Sequence, residues 1–144
     1  MAKKNAITAK AARLLRRAIA HMKKEPLRYD QDVPLVFGTP GTVDRWGRTF
    51  PSCGTIGCIA GWVTFLTAPY PNRIKDPIGY AIKKLGFFPQ ARMGLFGTAS
   101  DWSDKDWRDY VHAETPEGRV RVAERMVERA IKTGEGAVRA RIEG

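Results

Sequence analysis

A chain of 144 residues is the usual size of one domain, about 100 to 150 residues, and can bury one modest hydrophobic core. Its longest apolar stretch, Ile59 to Ala68, is interrupted by Gly61 and Thr64 and falls well short of the roughly 20 residues that span a bilayer, so no membrane partner is expected. The formal net charge is +10, and most of it is local: residues 1–28 carry nine Lys or Arg against the single acid Glu25, a balance of +8, while the remainder carries +2. Attachment to a polyanion would therefore start at the N-terminus. The same cations, Lys10, Arg13, Arg16 and Arg17, break up any apolar segment of a signal peptide, which favours a cytoplasmic setting.

Residues 8–24 have the pattern of an amphipathic helix, with Ala11, Leu14, Leu15, Ala18, Ile19 and Met22 recurring three and four apart. Lys10, Arg13, Arg17 and Lys24 fall mainly on its outward side. Thr8 is suited to cap it, and Pro26 stops it. From Leu27 to Ser52 the pattern dissolves into Pro, Gly and Asp around one apolar group, Leu35-Val36-Phe37, which implies a long connection with room for a short hairpin near Thr39-Pro40-Gly41. A second helix is expected from a Thr55 cap to about Leu66, ended by Pro69-Tyr70-Pro71. Asp76-Pro77 starts a third, with Ile78, Ala81, Ile82 and Leu85 as its apolar stripe and Gly86 as its stop. A short helix after Pro89 would carry Ala91, Leu95 and Phe96. Ser103 with Asp106 three residues on resembles a capping box and opens a helix through Tyr110. Thr115-Pro116-Glu117 opens the last helix, which runs to about Lys132 and buries Ala123, Met126, Val127, Ala130 and Ile131, with Gly134 past its end. No repeat or sustained alternation is present. The fold class is all-α: a small multi-helix domain over residues 1–133, with at most a minor β-hairpin between the first and second helices, and a flexible tail over residues 134–144.

The two cysteines, Cys53 and Cys58, invite a chemical reading. A zinc site needs about four ligands, and His21 and His112 lie far apart with none of the paired spacing of a zinc finger, so no metal and no other cofactor is expected. A disulfide could close across the turn, but a cytosolic chain keeps such a pair reduced. A reactive thiol is the sharper alternative: Cys58 in the first turn of a helix gains from the helix dipole, and His112, in a loop, would be its base. The plainer reading makes Cys58 a small buried apolar residue, with Gly57 and Gly61 allowing close helix approach and Trp62 filling the adjacent space.

The block Cys53-Gly54-Thr55-Ile56-Gly57-Cys58-Ile59-Ala60-Gly61-Trp62 resembles the signature of a family of small bacterial and phage proteins, in which a Cys-Gly-Thr-x-x-Cys-x-Ala-Gly block follows an Arg-Phe-Asp-like segment. Arg28-Tyr29-Asp30 is the counterpart of that segment here. Leu85-Gly86, Leu95-Phe96 and Thr115-Pro116-Glu117 follow in the family's order, so the resemblance covers roughly Arg28 to Thr133 and leaves the basic N-terminal helix outside it. It implies a fold and assigns no catalytic residue.

Asp101, Asp104, Asp106 and Asp109 gather among Trp102, Trp107 and Tyr110, but their spacing matches no calcium loop, and helix capping with a solvated acidic face explains them. The resulting expectation is a non-enzymatic accessory protein, phage-like or of mobile-element origin. It would bind nucleic acid without sequence preference, or another macromolecular partner, through the N-terminal helix, with Lys10, Arg13, Arg16, Arg17, Lys23 and Lys24 on the phosphates. The alternatives are a thiol-dependent enzyme using Cys58 and His112, and an inhibitor or assembly factor acting through surface aromatics.

Overall fold

The computed structural model describes residues 7–31, 35–37, 42–43, 55–89, 102–133 and 137–139. Helix α1 spans Ala9–Lys24, where the Thr8 hydroxyl accepts the Ala11 N–H at 3.1 Å and frees the first turn of an unpaired donor. Its buried face is Ala11, Ala12, Leu15, Ala18, Ile19 and Met22, and its last turn carries His21, Lys23 and Lys24, the charge sign that the helix dipole favours there. Pro26 then opens a single tight turn, Pro26–Arg28.

Two short strands follow, β1 Leu35–Phe37 and β2 Thr55–Gly57, paired antiparallel with Val36 opposite Ile56. They supply the minor β element expected between the first and second helices, joined through a long connection and not a tight hairpin; Thr39-Pro40-Gly41 lies outside the described residues. Helix α2 spans Ile59–Thr67 and its first six residues are all buried, as befits a helix that is apolar all round and central to the core. Thr55, expected to cap it, sits instead in β2. The cap is Cys58, whose Sγ accepts the Gly61 N–H at 3.4 Å. Gly57, read as one of two helical glycines, is likewise a strand residue: it bridges Tyr29, and its carbonyl accepts the Asp30 N–H at 3.1 Å.

Helix α3, Pro77–Leu85, starts and stops as expected, with the Asp76 carboxylate accepting the Gly79 N–H at 3.0 Å and Gly86 ending it at a φ of 74°, a left-handed conformation that glycine adopts without strain. The Thr64 hydroxyl donates to the Pro77 carbonyl at 2.7 Å and pins α3 to α2. Strand β3, Phe87–Pro89, pairs antiparallel with β4, Ala137–Arg139. Over those three residues the expected flexible tail is a paired strand. The expected helix after Pro89 lies outside the described residues.

Helix α4 spans Asp104–Val111 and α5 spans Pro116–Thr133. Thr115 accepts the Gly118 N–H at 3.1 Å, the cap that the Thr-Pro-Glu sequence announces. The α5 face toward the core is Val120, Val122, Ala123, Met126, Val127 and Ala130, with Ile131 packed at its edge. At the centre lie Trp62, Leu15, Met22, Ile59 and Met126, all without solvent exposure, and the Trp62 indole N–H donates to the Arg28 carbonyl at 2.9 Å.

Asp106 is not on a solvated face. It is buried, its carboxylate accepting from the Ser103 hydroxyl at 2.9 Å, from Arg125 at 2.6 Å and from Arg129 at 2.5 Å. Burial pushes its pKa up, but the hydrogen bonds from Arg129, Arg125 and Ser103 outweigh that and hold it below the ordinary aspartate value. A carboxylate with a depressed folded-state pKa contributes stability above its unfolded pKa and loses it as pH falls through the folded one. Asp106→Asn is therefore expected to cost about 2 to 3 kcal/mol at pH 7, as strong charged hydrogen bonds are lost, with the gap from the parent protein closing below the ordinary aspartate pKa. Urea unfolding of both proteins across that pH range measures it.

Candidate nucleic-acid interface

At 3.6 residues per turn, Lys10, Arg13, Arg17 and Lys24 fall within a sector of about 60° centred opposite the buried face of α1. All four are exposed, and none makes an ion pair among the described residues. The row from Lys10 to Lys24 is about 21 Å long at 1.5 Å per residue.

Arg16 and Lys23 occupy the flank of α1 that faces α5. Arg16 makes two hydrogen bonds to Glu128, Nε to Oε2 at 3.0 Å and Nη2 to Oε1 at 2.9 Å, and Lys23 pairs with Glu124. The Glu128 carboxyl is held below its ordinary pKa by the Arg16 hydrogen bonds. These pairs run up α1 as they run down α5, so the two helices are antiparallel. The seam between them carries two adjoining shallow depressions of about 330 and 310 Å³ that share Lys23 and Glu124. The six cations singled out in the sequence thus divide into four that face outward and two that are neutralised by the neighbouring helix.

The opposite flank holds a cluster that the sequence did not flag. His21 stacks on Trp62 with centroids 5.8 Å apart, the Arg28 guanidinium lies 6.0 Å from the Trp62 ring, and Arg28 pairs with Glu25 at 3.3 Å. Arg28 Nη1 is 3.4 Å from His21 Nδ1, and since a guanidinium only donates, this contact needs Nδ1 as its acceptor. Burial, then the charges of Arg28, Lys24 and Arg17, lower the His21 pKa. His21 sits on an amphipathic helix face, which in sequence reads as ordinary packing; its i+7 spacing to Arg28 across the Pro26 turn is the only local signal of the cluster.

The alternative pair does not assemble as a nucleophile and base. Cys58 is 2% exposed, and burial pushes its thiol up to about 11 in spite of the backbone N–H groups around it. The dipole argument fails because a desolvated thiolate costs more than the helix start returns. His112 is exposed at the C-terminal end of α4. Cys53 lies outside the described residues. Among the described residues no group of three or more His, Cys, Asp or Glu side chains is placed to hold a metal ion, and no helix is long and apolar enough to cross a membrane. Of the acidic cluster, Asp109 joins Lys105 at 3.2 Å and Arg125 at 2.8 Å, while Asp106 is the buried ion-pair centre; Asp101 is outside the described residues. Of the aromatics beside them, Trp102 and Tyr110 are buried edge to face, and Trp107 is 41% exposed.

Arg28-Tyr29-Asp30 and the Gly57-to-Trp62 segment are brought into direct contact, with the Asp30 N–H donating to the Gly57 carbonyl and the Trp62 indole N–H to the Arg28 carbonyl. No protein-family model, curated protein or solved structure matches the chain.

Alkylation measures the state of Cys58. In the folded protein at neutral pH it is expected to resist iodoacetamide, and to react at the rate of an ordinary free thiol once the chain is unfolded in denaturant, as read by mass of the peptide that contains it.

Proposed function

We propose that the chain is a non-enzymatic accessory protein that binds the phosphate backbone of nucleic acid, without sequence preference, through the outward face of α1. The observation that carries this reading is the row Lys10, Arg13, Arg17 and Lys24: four exposed cations on one face of a helix, none of them in an ion pair among the described residues. A phosphate track supplies the missing counter-charge, and displacement of its condensed cations supplies the driving force. Base-edge contacts are not part of the reading, because the row consists of Lys and Arg on one exposed helix face and phosphate contact alone carries no sequence information.

Arg16 and Lys23 take a secondary place. Each would have to exchange a glutamate for a phosphate, and solvent screens such exposed ion pairs so strongly that the exchange is available but adds little.

Four contacts give a defined salt dependence. On duplex DNA the α1 row should contribute about −3.6 to the slope of the logarithm of the binding constant against the logarithm of salt, or about −5.4 if all six α1 cations engage equally. The variant Lys10→Gln, Arg13→Gln, Arg17→Gln, Lys24→Gln should lose measurable binding at low salt while keeping its helical circular dichroism, since all four side chains are exposed. Absence of binding at low salt, or binding indifferent to salt, overturns the proposal.

A further inference from the structure

Helix α5 carries a second row of cations, which neither the charge count of the N-terminus nor the α1 reading includes. Gly118, Arg121, Arg125, Arg129 and Lys132 recur at spacings of three and four, and the four cations are all exposed residues. Together they make a stripe about 17 Å long from Arg121 to Lys132 on the outward side of α5. Arg125 and Arg129 reach back to Asp106 and yet leave their side chains 41% and 42% exposed, while Arg121 and Lys132 make no ion pair among the described residues.

The two rows belong to one face. α1 and α5 lie side by side and antiparallel, as the Arg16–Glu128 and Lys23–Glu124 pairs require, and packed helices sit about 8 to 10 Å apart. Between the rows runs a seam in which each of those glutamates is already matched by a cation. The face is therefore basic along both margins, through Lys10, Arg13, Arg17 and Lys24 on α1 and through Arg121 and Lys132 on α5, since Arg125 and Arg129 are paired with Asp106 and Asp109, and it is compensated along its middle. A single phosphate strand can use only one margin at a time. Two phosphate strands flanking a groove match both.

Resting on the reading of α1 as a phosphate-binding helix, we infer that the ligand is double-stranded nucleic acid held across a groove, one strand along α1 and the other along α5. The α5 row holds the second strand, and the Glu124 and Glu128 pairs sit over the groove, away from the phosphates. The face then fixes the orientation of the duplex relative to the helix pair, with the strands following the helices.

The test uses the full chain, a short DNA duplex and one of its single strands, with binding measured over a series of salt concentrations. The variant Arg121→Gln, Lys132→Gln removes the two α5 cations that take no part in internal pairs, so its thermal unfolding should match that of the parent protein. On the duplex its slope should be shallower than the parent's by about 1.8, so that a fourfold rise in salt costs it about tenfold less affinity; on the single strand the two proteins should behave alike. If the α5 variant keeps the parent slope on the duplex while the α1 quadruple variant abolishes binding, the second row is not engaged and this inference falls, with the α1 proposal left standing. Loss of the same slope on the single strand also overturns it, since one strand would then be using both margins. If neither variant alters binding, both readings fall. Binding to poly-glutamate with the parent's salt slope, lost in both variants, assigns the face to an acidic protein and overturns the duplex.

Discussion

Burial of the α1 apolar stripe against α2 and α5 is the constraint on which the rest of the arrangement turns. Leu15, Ala18 and Met22 have no solvent exposure, and they share a core with Trp62, Ile59 and Met126. Once that stripe is inside, the rotation of α1 is fixed, and with it the fate of every cation on the helix. Trp62 secures the same helix at its far end: its ring receives His21 from α1 and its N–H holds the Arg28 carbonyl of the turn that follows. A rotation of α1 that improved any surface ion pair would expose leucine and methionine, at about 25 cal/mol for each Å² uncovered, far more than an exposed pair returns.

Charge is distributed by the same logic. The acids of the C-terminal half are engaged internally where the structure needs a junction: Asp106 and Asp109 tie α4 to α5 through Arg125 and Arg129, and Glu124 and Glu128 tie α5 to α1 through Lys23 and Arg16. Among the described residues, Lys10, Arg13, Arg17 and Lys24 on α1 and Arg121 and Lys132 on α5 make no such pair. These cations face away from the core along the α1 and α5 surface, and the near-neutral balance of residues 29–144 conceals the basic row on α5.

Elements that depend on local signals were legible in the sequence. Thr8, Asp76-Pro77, Ser103 and Thr115-Pro116 each announce a helix start through a cap within four residues, and Gly86 announces a stop through its backbone freedom. The outward cations of α1 were legible for the same reason, since helical period alone places them. Features built by distant partners were not. A three-residue strand such as β2 has no alternation long enough to read, so Thr55 looked like a cap and Gly57 like a helical residue. A thiol is a weak acceptor, which hid Cys58 as the true cap. Asp106 carries no sign of the arginines 19 and 23 residues away that bury its charge. The internal pairing of Arg16 and Lys23 follows from the register of α1 against α5, which no local spacing encodes.

The central claim is that the outward face of α1 meets the phosphates, and lysine footprinting reads that contact residue by residue. Acetylation of the folded protein with and without saturating duplex, followed by mass spectrometry, should show strong protection of Lys10 and Lys24. Lys83 and Lys84, exposed on α3, should be modified equally in both samples. Equal modification of Lys10 and Lys24 with and without duplex, or protection spread evenly over all the lysines, would contradict the account.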